Sequence, residues 1–126
     1  MTRPGAVTQA LVEHVDFYPT LLELCGLKPD GPLQGRSFVS VLKDPQSRGK
    51  EVVYTVVTRG KALGRSIRSQ RWRYAQWGSP DQVELYDLEQ DPYEYANLAK
   101  DPDFSSQLQH MEALFRKARQ RAGSVR

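Results

Sequence analysis

The sequence predicts an α+β fold, in which a small antiparallel sheet of about four strands is packed by a C-terminal helix. The stretch Gly64–Trp77 has the alternation of two strands that fold back on each other near Ser69. Glu51–Val57 is dense in β-branched residues and is predicted to be a buried strand. From Phe104 to Ala118, apolar residues recur at the spacing of one helical face, which predicts the covering helix.

The basic residues are concentrated in one part of the chain. Six basic side chains and no acidic one lie between Arg59 and Arg73, and an acidic stretch follows from Glu84 to Asp103. Alternating blocks of this kind more often neutralise one another within a fold than bind nucleic acid. Alternation gives the predicted hairpin an apolar face and a basic face, which carry Ile67, Trp72 and Tyr74, and Arg68, Arg71 and Arg73, respectively.

A short helix is predicted over Phe17–Cys25. Asp16 precedes it and is expected to cap it, because its carboxylate can accept from free N–H groups of the first turn. Gly26 is placed to end the helix. Four apolar side chains share one face, which we expect to be core: Phe17, Leu21, Leu24 and Cys25.

The remaining segments connect or extend these elements. The Pro- and Gly-rich segment Lys28–Gly35 is predicted to be a loop, and Ser37 is expected to cap a helical turn over Phe38–Lys43. Val83–Leu88 is predicted to be a further strand, and Pro102 suits the first position of the final helix.

Four segments together resemble the C-terminal subdomain of type I, formylglycine-dependent sulfatases, and are most similar to iduronate-2-sulfatase-like members. These segments are Val15–Leu27, Gln34–Phe38, Ser66–Tyr74 and Glu84–Leu98, which keep the family's order over nearly the whole chain. The last is the family's closing signature, Glu-Leu-Tyr-Asp-Leu followed by Asp-Pro and Asn-Leu.

Within the closing signature the sequence predicts an ordered turn. Asp91 is expected to bond its own backbone beside Pro92, and Glu94 to meet an arginine of the hairpin.

The resemblance implies a division of the chain at residue 48. Residues 1–48 would be a linker and helical segment from the end of an alkaline-phosphatase-like catalytic domain, and residues 49–126 the subdomain itself. The chain would begin after the family's last catalytic segment. Its main partner would then be that missing N-terminal catalytic domain, onto which the helix Phe17–Cys25 would dock, and the isolated chain would tend to self-associate.

The resemblance also implies chemistry that these residues do not carry. Sulfatases use a formylglycine, made from the cysteine or serine of a Cys/Ser-x-Pro/Ala-x-Arg motif, and a divalent metal, usually Ca²⁺. Cys25 is followed by Gly-Leu-Lys-Pro, so it does not match and is expected to be a buried, small hydrophobic residue. His14 and His110 lie far apart and are expected to be structural or solvated. We therefore expect no catalytic residue and no metal site in this chain, whereas the parent would use Ca²⁺ and formylglycine.

The segment Thr58–Arg65 is predicted to be a basic loop whose middle can bend at Gly60 and Gly64. Because loops on a rigid scaffold often carry binding residues, and because sulfatase loops of this subdomain approach the catalytic pocket, a substrate role is expected here. The candidate substrate-binding residues are Arg59, Lys61 and Arg65, which would contact a sulfate or uronate carboxylate of a sulfated saccharide. The alternative is a solvated basic loop.

Two functions of different classes remain open from the sequence. One is a structural, substrate-shaping subdomain of a sulfatase. The other is a free-standing module that binds anionic polysaccharide through the basic hairpin; nucleic acid is a weaker version, since Trp72 and Tyr74 are expected to face the core. No apolar run is long enough to span a bilayer, and the first residues lack a signal-peptide core. Export of the parent to a periplasmic, extracellular or lysosomal compartment is an expectation from the resemblance alone.

Overall fold

A computed structural model describes residues 4–123 of the chain. The described residues form two compact units, one comprising residues 4–51 with 121–123 and the other residues 52–120. The helices are α1 (Phe17–Leu24), α2 (Val39–Lys43) and α3 (Ser105–Gly123), and the strands are β1 (Val53–Arg59), β2 (Ala62–Arg68), β3 (Trp72–Trp77) and β4 (Val83–Asp87). Short 3₁₀ turns, His14–Asp16 and Pro102–Phe104, lead into α1 and α3.

The second unit is built on an antiparallel sheet with the strand order β1-β2-β3-β4. Sequential antiparallel strands need only short connections, which matches the turn residues between them. The predicted α+β fold with four strands and a C-terminal helix is therefore confirmed, as is the hairpin of β2 and β3.

The core of this unit lies between one face of the sheet and α3. Ile67, Tyr74 and Leu85 are adjacent in the register of β2, β3 and β4, and all three are buried. Met111 and Phe115 of α3 cover them, and the ring of Phe115 lies 5.1 Å from that of Tyr74. The predicted apolar face of the hairpin is confirmed. Burial, with the nearby charge of Glu112, raises the pKa of Tyr74 to about 12, so its phenol is neutral at physiological pH.

Strand β1 is an edge strand rather than the buried strand that was predicted. Within the described part of the chain it pairs only with β2, and the side chains of Val56 and Val57 are 54% and 46% exposed. A run of β-branched residues favours a strand but does not determine whether that strand is central or at the edge of the sheet.

The predicted flexible loop over Thr58–Arg65 is also wrong. Arg59 pairs with Ala62, so Gly60 and Lys61 form a two-residue hairpin turn. Gly60 has a φ of +60°, which is the requirement at the first position of a type II′ turn. Gly64 is buried within β2, where a Cβ atom would lie 2.5 Å from a ring carbon of Trp77.

In the first unit, α1 ends as predicted, but its apolar side is exposed and not buried in a core. The N–H of Leu27 bonds the carbonyl of Leu22, and that of Gly26 bonds Glu23, which is a Schellman ending with Gly26 at φ +68°. The apolar face is exposed, however: Leu21 is 58% and Leu24 57% accessible. The prediction that this face is core is therefore wrong for this chain. So is the prediction that Cys25 is buried, since Cys25 is exposed at the helix end.

The other predicted connections are close to the structure. No regular element occupies Lys28–Gly35. The Ser37 hydroxyl accepts the N–H of Val39, the first residue of α2, one residue later than predicted. Pro102 begins the 3₁₀ turn that leads into α3.

We predict that Gly64→Ala destabilises the sheet, because the new methyl group would collide with the Trp77 ring. Overpacking of this kind costs about 1–3 kcal/mol in free energy of unfolding. Thermal or urea unfolding followed by tryptophan fluorescence would measure it.

The matched control is Gly123→Ala at the end of α3, where an added Cβ meets nothing within 4 Å. The control should be neutral or slightly stabilising. If Gly64→Ala were as stable as the control, the close contact of Gly64 with Trp77 would not constrain the sheet.

Candidate functional site

The three predicted substrate-binding residues are not on one face of the sheet. Lys61 lies in the β1–β2 turn, and Arg59 ends β1. The register places Arg59 on the same face as Ala62 and, two residues on, Gly64. Arg65 belongs to the opposite face, which α3 covers. Arg59 and Lys61 are thus exposed neighbours, whereas Arg65 is separate from them and half-buried.

Two of the other hairpin arginines are neutralised within the fold. Arg71 donates two parallel hydrogen bonds to the buried carboxylate of Asp87, of 2.9 and 2.6 Å. Arg73 bonds Glu94, and its guanidinium lies 5.5 Å from the ring centroid of Tyr86. The hydrogen bonds from Arg71 hold the pKa of Asp87 below its usual value despite its burial. The predicted meeting of Glu94 with a hairpin arginine is confirmed.

The closing signature forms an ordered turn, as predicted. Within residues 4–123, Glu94 is the one residue other than glycine with a positive φ, at +60°. A non-glycine residue there costs about 1–2 kcal/mol, which the ion pair with Arg73 helps to offset. Asp91 differs from the prediction in its partner, since its carboxylate accepts the N–H of Ala96, at 2.8 Å.

A buried ionic cluster in the first unit is the main feature that the sequence did not reveal. Asp16 is 1% exposed, and its carboxylate accepts the N–H groups of Glu13 and Arg36, both at 2.8 Å, and the ammonium of Lys50 at 2.6 Å. Lys50 also bonds Glu13. The predicted helix cap is wrong, because no first-turn N–H of α1 bonds the Asp16 side chain.

The polar side of α1 faces this cluster. The Thr20 hydroxyl donates to the carbonyl of Asp16 at 2.6 Å and accepts the N–H of Phe38 at 3.1 Å. Asp16 and Thr20 are one helical turn apart, so they define the buried side of the helix. The apolar residues consequently lie on the outward side.

The electrostatics of Asp16 follow from these contacts. Burial by itself raises the pKa of a carboxyl group, but the hydrogen bonds from Lys50, Arg36 and Glu13 outweigh it. The pKa of Asp16 is therefore lowered from 3.8, and the group is a carboxylate at physiological pH.

Beside the cluster is a cavity of about 300 Å³ with a polar lining. Asp16 and Lys50 form part of its wall, together with two arginines and two serines from the surrounding segments. Those four residues are Arg36, Arg48, Ser37 and Ser40.

The outward side of α1 forms an exposed apolar surface. This α1 surface consists of Phe17, Tyr18, Leu21, Leu24 and Leu27, each at least half exposed. Such a concentration of large apolar side chains on eight helical residues and their end is typical of an interface.

The described residues include no group of three or more His, Cys, Asp or Glu side chains that could hold a metal ion. His14 and His110 are both exposed. As far as the structure describes the chain, no helix has the length and apolar character needed to cross a membrane.

The comparisons with known proteins agree with one another. Residues 1–121 match the family described as N-sulphoglucosamine sulphohydrolase, C-terminal. An ulvan-active sulfatase of Formosa agariphila is 28% identical over 82% of this chain and 28% of its own length. A Delta 4,5-hexuronate-2-O-sulfatase of Bacteroides thetaiotaomicron is 33% identical over 79% of this chain and 22% of its own length.

Solved structures share the fold. A 2-O GAG sulfatase superposes with a TM-score of 0.70 at 28% identity, over 88% of this chain and 26% of that one. A phosphonate monoester hydrolase of Agrobacterium radiobacter gives a TM-score of 0.70 at 26% identity, over 82% of this chain and 24% of that one. The chain spans about a quarter of the length of the proteins that it matches.

We predict that Asp16→Asn destabilises the first unit at neutral pH. Removing one partner of a buried ion pair costs about 3–5 kcal/mol, and Lys50 would keep only Glu13 as a counter-ion. Because the folded pKa of Asp16 is lowered, its stabilisation is present above the unfolded value of about 3.9 and is lost as the pH falls through the folded pKa.

The difference in free energy of unfolding between wild type and Asp16→Asn should thus be large at pH 7. It should disappear as the pH falls below 3.8 and through the lowered pKa of folded Asp16. Urea unfolding at several pH values measures this difference. Asp81→Asn, at an exposed carboxyl that accepts the hydroxyl of Ser79, is the control and should change unfolding little. A difference independent of pH would show that the charge of Asp16 is not what stabilises the unit.

Proposed function

The chain belongs to the N-sulphoglucosamine sulphohydrolase C-terminal family of sulfatase domains, and on this premise we propose that it supports and completes the catalytic domain of a larger sulfatase. The prediction of a sulfatase C-terminal subdomain from the sequence is thereby confirmed. The activity of the whole protein, its substrate and the contacts between its domains are what we propose here. The single observation that supports the proposal is the exposed α1 surface.

The α1 surface is suited to a permanent contact between domains. Its side chains are large and apolar, and the helix is held in place from behind by the Asp16 cluster, so the surface is rigid before docking. A preformed apolar surface loses little conformational entropy when it is covered. The matched proteins are about four times longer than this chain, which provides a domain to cover it. We assign residues 1–48 to that junction.

We propose that the chemistry of the parent resides in the catalytic domain. Formylglycine as nucleophile and Ca²⁺ as the metal fit the sulfatase family, and both would come from residues outside this chain. The substrate would be a sulfated glycan, since relatives are named for ulvan and for a hexuronate carrying a 2-O-sulfate.

The exposed turn between β1 and β2 is the proposed contribution of this chain to substrate binding. The side chains of Arg59 and Lys61 make no hydrogen bond or ion pair with any residue of the described range, so both are available to an anionic ligand. Arg65 would act separately, from the other face of the sheet. Each would contact a sulfate or carboxylate group remote from the bond that is cleaved.

A free-standing module that binds anionic polymers is less well supported. Arg71 and Arg73 already bond Asp87 and Glu94, so the hairpin presents fewer free cations than its sequence suggests.

We predict that Leu21→Glu and Leu24→Glu in the full-length protein uncouple the domains. A carboxylate buried at an apolar interface without a partner costs on the order of several kcal/mol. The expected result is a lower thermal midpoint and loss of hydrolysis of a small aryl sulfate.

The control is Val56→Glu on β1, where the side chain is 54% exposed, close to the 58% of Leu21. It should leave both measurements near the wild-type values. Equal tolerance of Leu21→Glu and Val56→Glu would rule out docking through α1.

We predict that Arg59→Ala or Lys61→Ala in the full-length protein weakens binding of a sulfated oligosaccharide by about 1–3 kcal/mol, seen as a higher KM. Hydrolysis of a small aryl sulfate should be unchanged, because that substrate does not reach the turn.

Arg68→Ala is the matched control. Arg68 is likewise an exposed basic residue, but it lies at the end of β2 that is farther from the β1–β2 turn. It should affect neither substrate. Unchanged kinetics on the oligosaccharide in both Arg59→Ala and Lys61→Ala would remove the turn from the substrate site.

A further inference from the structure

The cavity beside the buried cluster of Asp16, Lys50 and Glu13 has the size of a small-ligand site. Its volume is about 300 Å³, and since one water takes about 30 Å³ of the liquid, it has room for a tetrahedral anion with several waters. Its apolar lining is limited to a few side chains, among them Leu11, Phe38 and Val41. Polar and charged groups occupy the rest of the wall, so the ligand that fits is polar.

The charges that line the cavity are not balanced. Lys50 and Asp16 bond each other, and the carboxylate of Asp16 is further saturated by the two backbone N–H groups that it accepts. The charged groups of the wall that remain without a charged partner are the guanidinium groups of Arg36 and Arg48. No carboxylate among the described residues pairs with either.

The two guanidinium groups also have donors to spare. Arg48 makes no hydrogen bond to any residue between 4 and 123, and Arg36 makes only a long bond of 3.4 Å from its side chain to the carbonyl of Gly49. A guanidinium donates in a planar fork that matches two oxygens of a sulfate or carboxylate. The Ser40 hydroxyl, exposed in the same wall, can add a further donor.

We propose that this cavity is an oxyanion-binding site, in which Arg36 and Arg48 bind a sulfate group and Lys50 holds the wall in place. The site uses none of the residues of the β1–β2 turn. Two sources can supply the same chemistry: inorganic sulfate, or a sulfate group carried on a glycan. The test below involves no hydrolysis, so its outcome is independent of the proposed sulfatase function.

The experiment is a titration of the 126-residue chain with sodium sulfate at constant ionic strength, followed by residue-resolved amide NMR shifts. Saturable shifts are expected at Ser37, Gly49 and Lys50, which line the cavity. Shifts that equal those caused by sodium chloride, or that do not saturate, would overturn the proposal.

Two variants locate the binding groups. Arg48→Ala and Arg36→Ala should each weaken sulfate binding about tenfold or more, since a charged hydrogen bond is worth about 1.5–3 kcal/mol. Both should fold: the Arg48 side chain bonds no described residue, and Arg36→Ala keeps the backbone N–H that bonds Asp16. Arg68→Ala is the control and should bind as wild type. Equal binding by Arg48→Ala, Arg36→Ala and Arg68→Ala would overturn the proposal.

Repeating the titration with a sulfated disaccharide distinguishes between the two sources of the bound sulfate group, inorganic sulfate and a sulfated glycan. Tighter binding than inorganic sulfate, lost in Arg48→Ala, would assign the site to a glycan sulfate group. Similar binding of both would assign it to free oxyanion. Failure of both ligands to shift the cavity amides would exclude an oxyanion site.

Discussion

The carboxylate of Asp16 is the interaction on which the first unit depends. A buried charge is tolerated only when hydrogen bonds replace its lost water, and here donors come from residues 13, 36 and 50. One side chain therefore ties together three segments that are distant in sequence. Gly35 and Gly49 allow the approach, because a Cβ on either would lie less than 3 Å from the backbone of Val15 or Leu11. The direction of α1, and with it the apolar surface, follows from this arrangement.

The features predicted correctly are those that local sequence determines. Alternation in β2 and β3, the helical spacing of α3 and the glycine ending of α1 each follow from a pattern within a few residues. Gly60-Lys61 also carried a local signal, since a glycine followed by one residue between alternating stretches is typical of a type II′ turn. The loop predicted over Thr58–Arg65 does not take this signal into account.

The features predicted wrongly depend on distant partners. An aspartate before a helix can cap that helix or bond elsewhere, and Lys50, which lies 34 residues away, decides between these here. Periodicity shows that α1 has two faces but not which face is covered within the chain. The basic residues between Arg59 and Arg73 also differ in their surroundings. Arg71 and Arg73 form ion pairs with acidic side chains. Arg59 and Lys61 are exposed, and Arg65 lies on the sheet face that α3 covers. A charge run in sequence is thus not a single patch in the structure.

The central claim, that the α1 surface is covered in the parent protein, is tested most directly by the reactivity of Cys25. This cysteine is exposed at the end of α1, next to Leu24. Alkylation of native protein, followed by peptide-resolved mass spectrometry, would compare its labelling rate in the 126-residue chain and in the full-length protein that we propose to be a sulfatase. If the α1 surface is covered, Cys25 is labelled rapidly in the chain and strongly protected in the full-length protein. Equal labelling rates would contradict it.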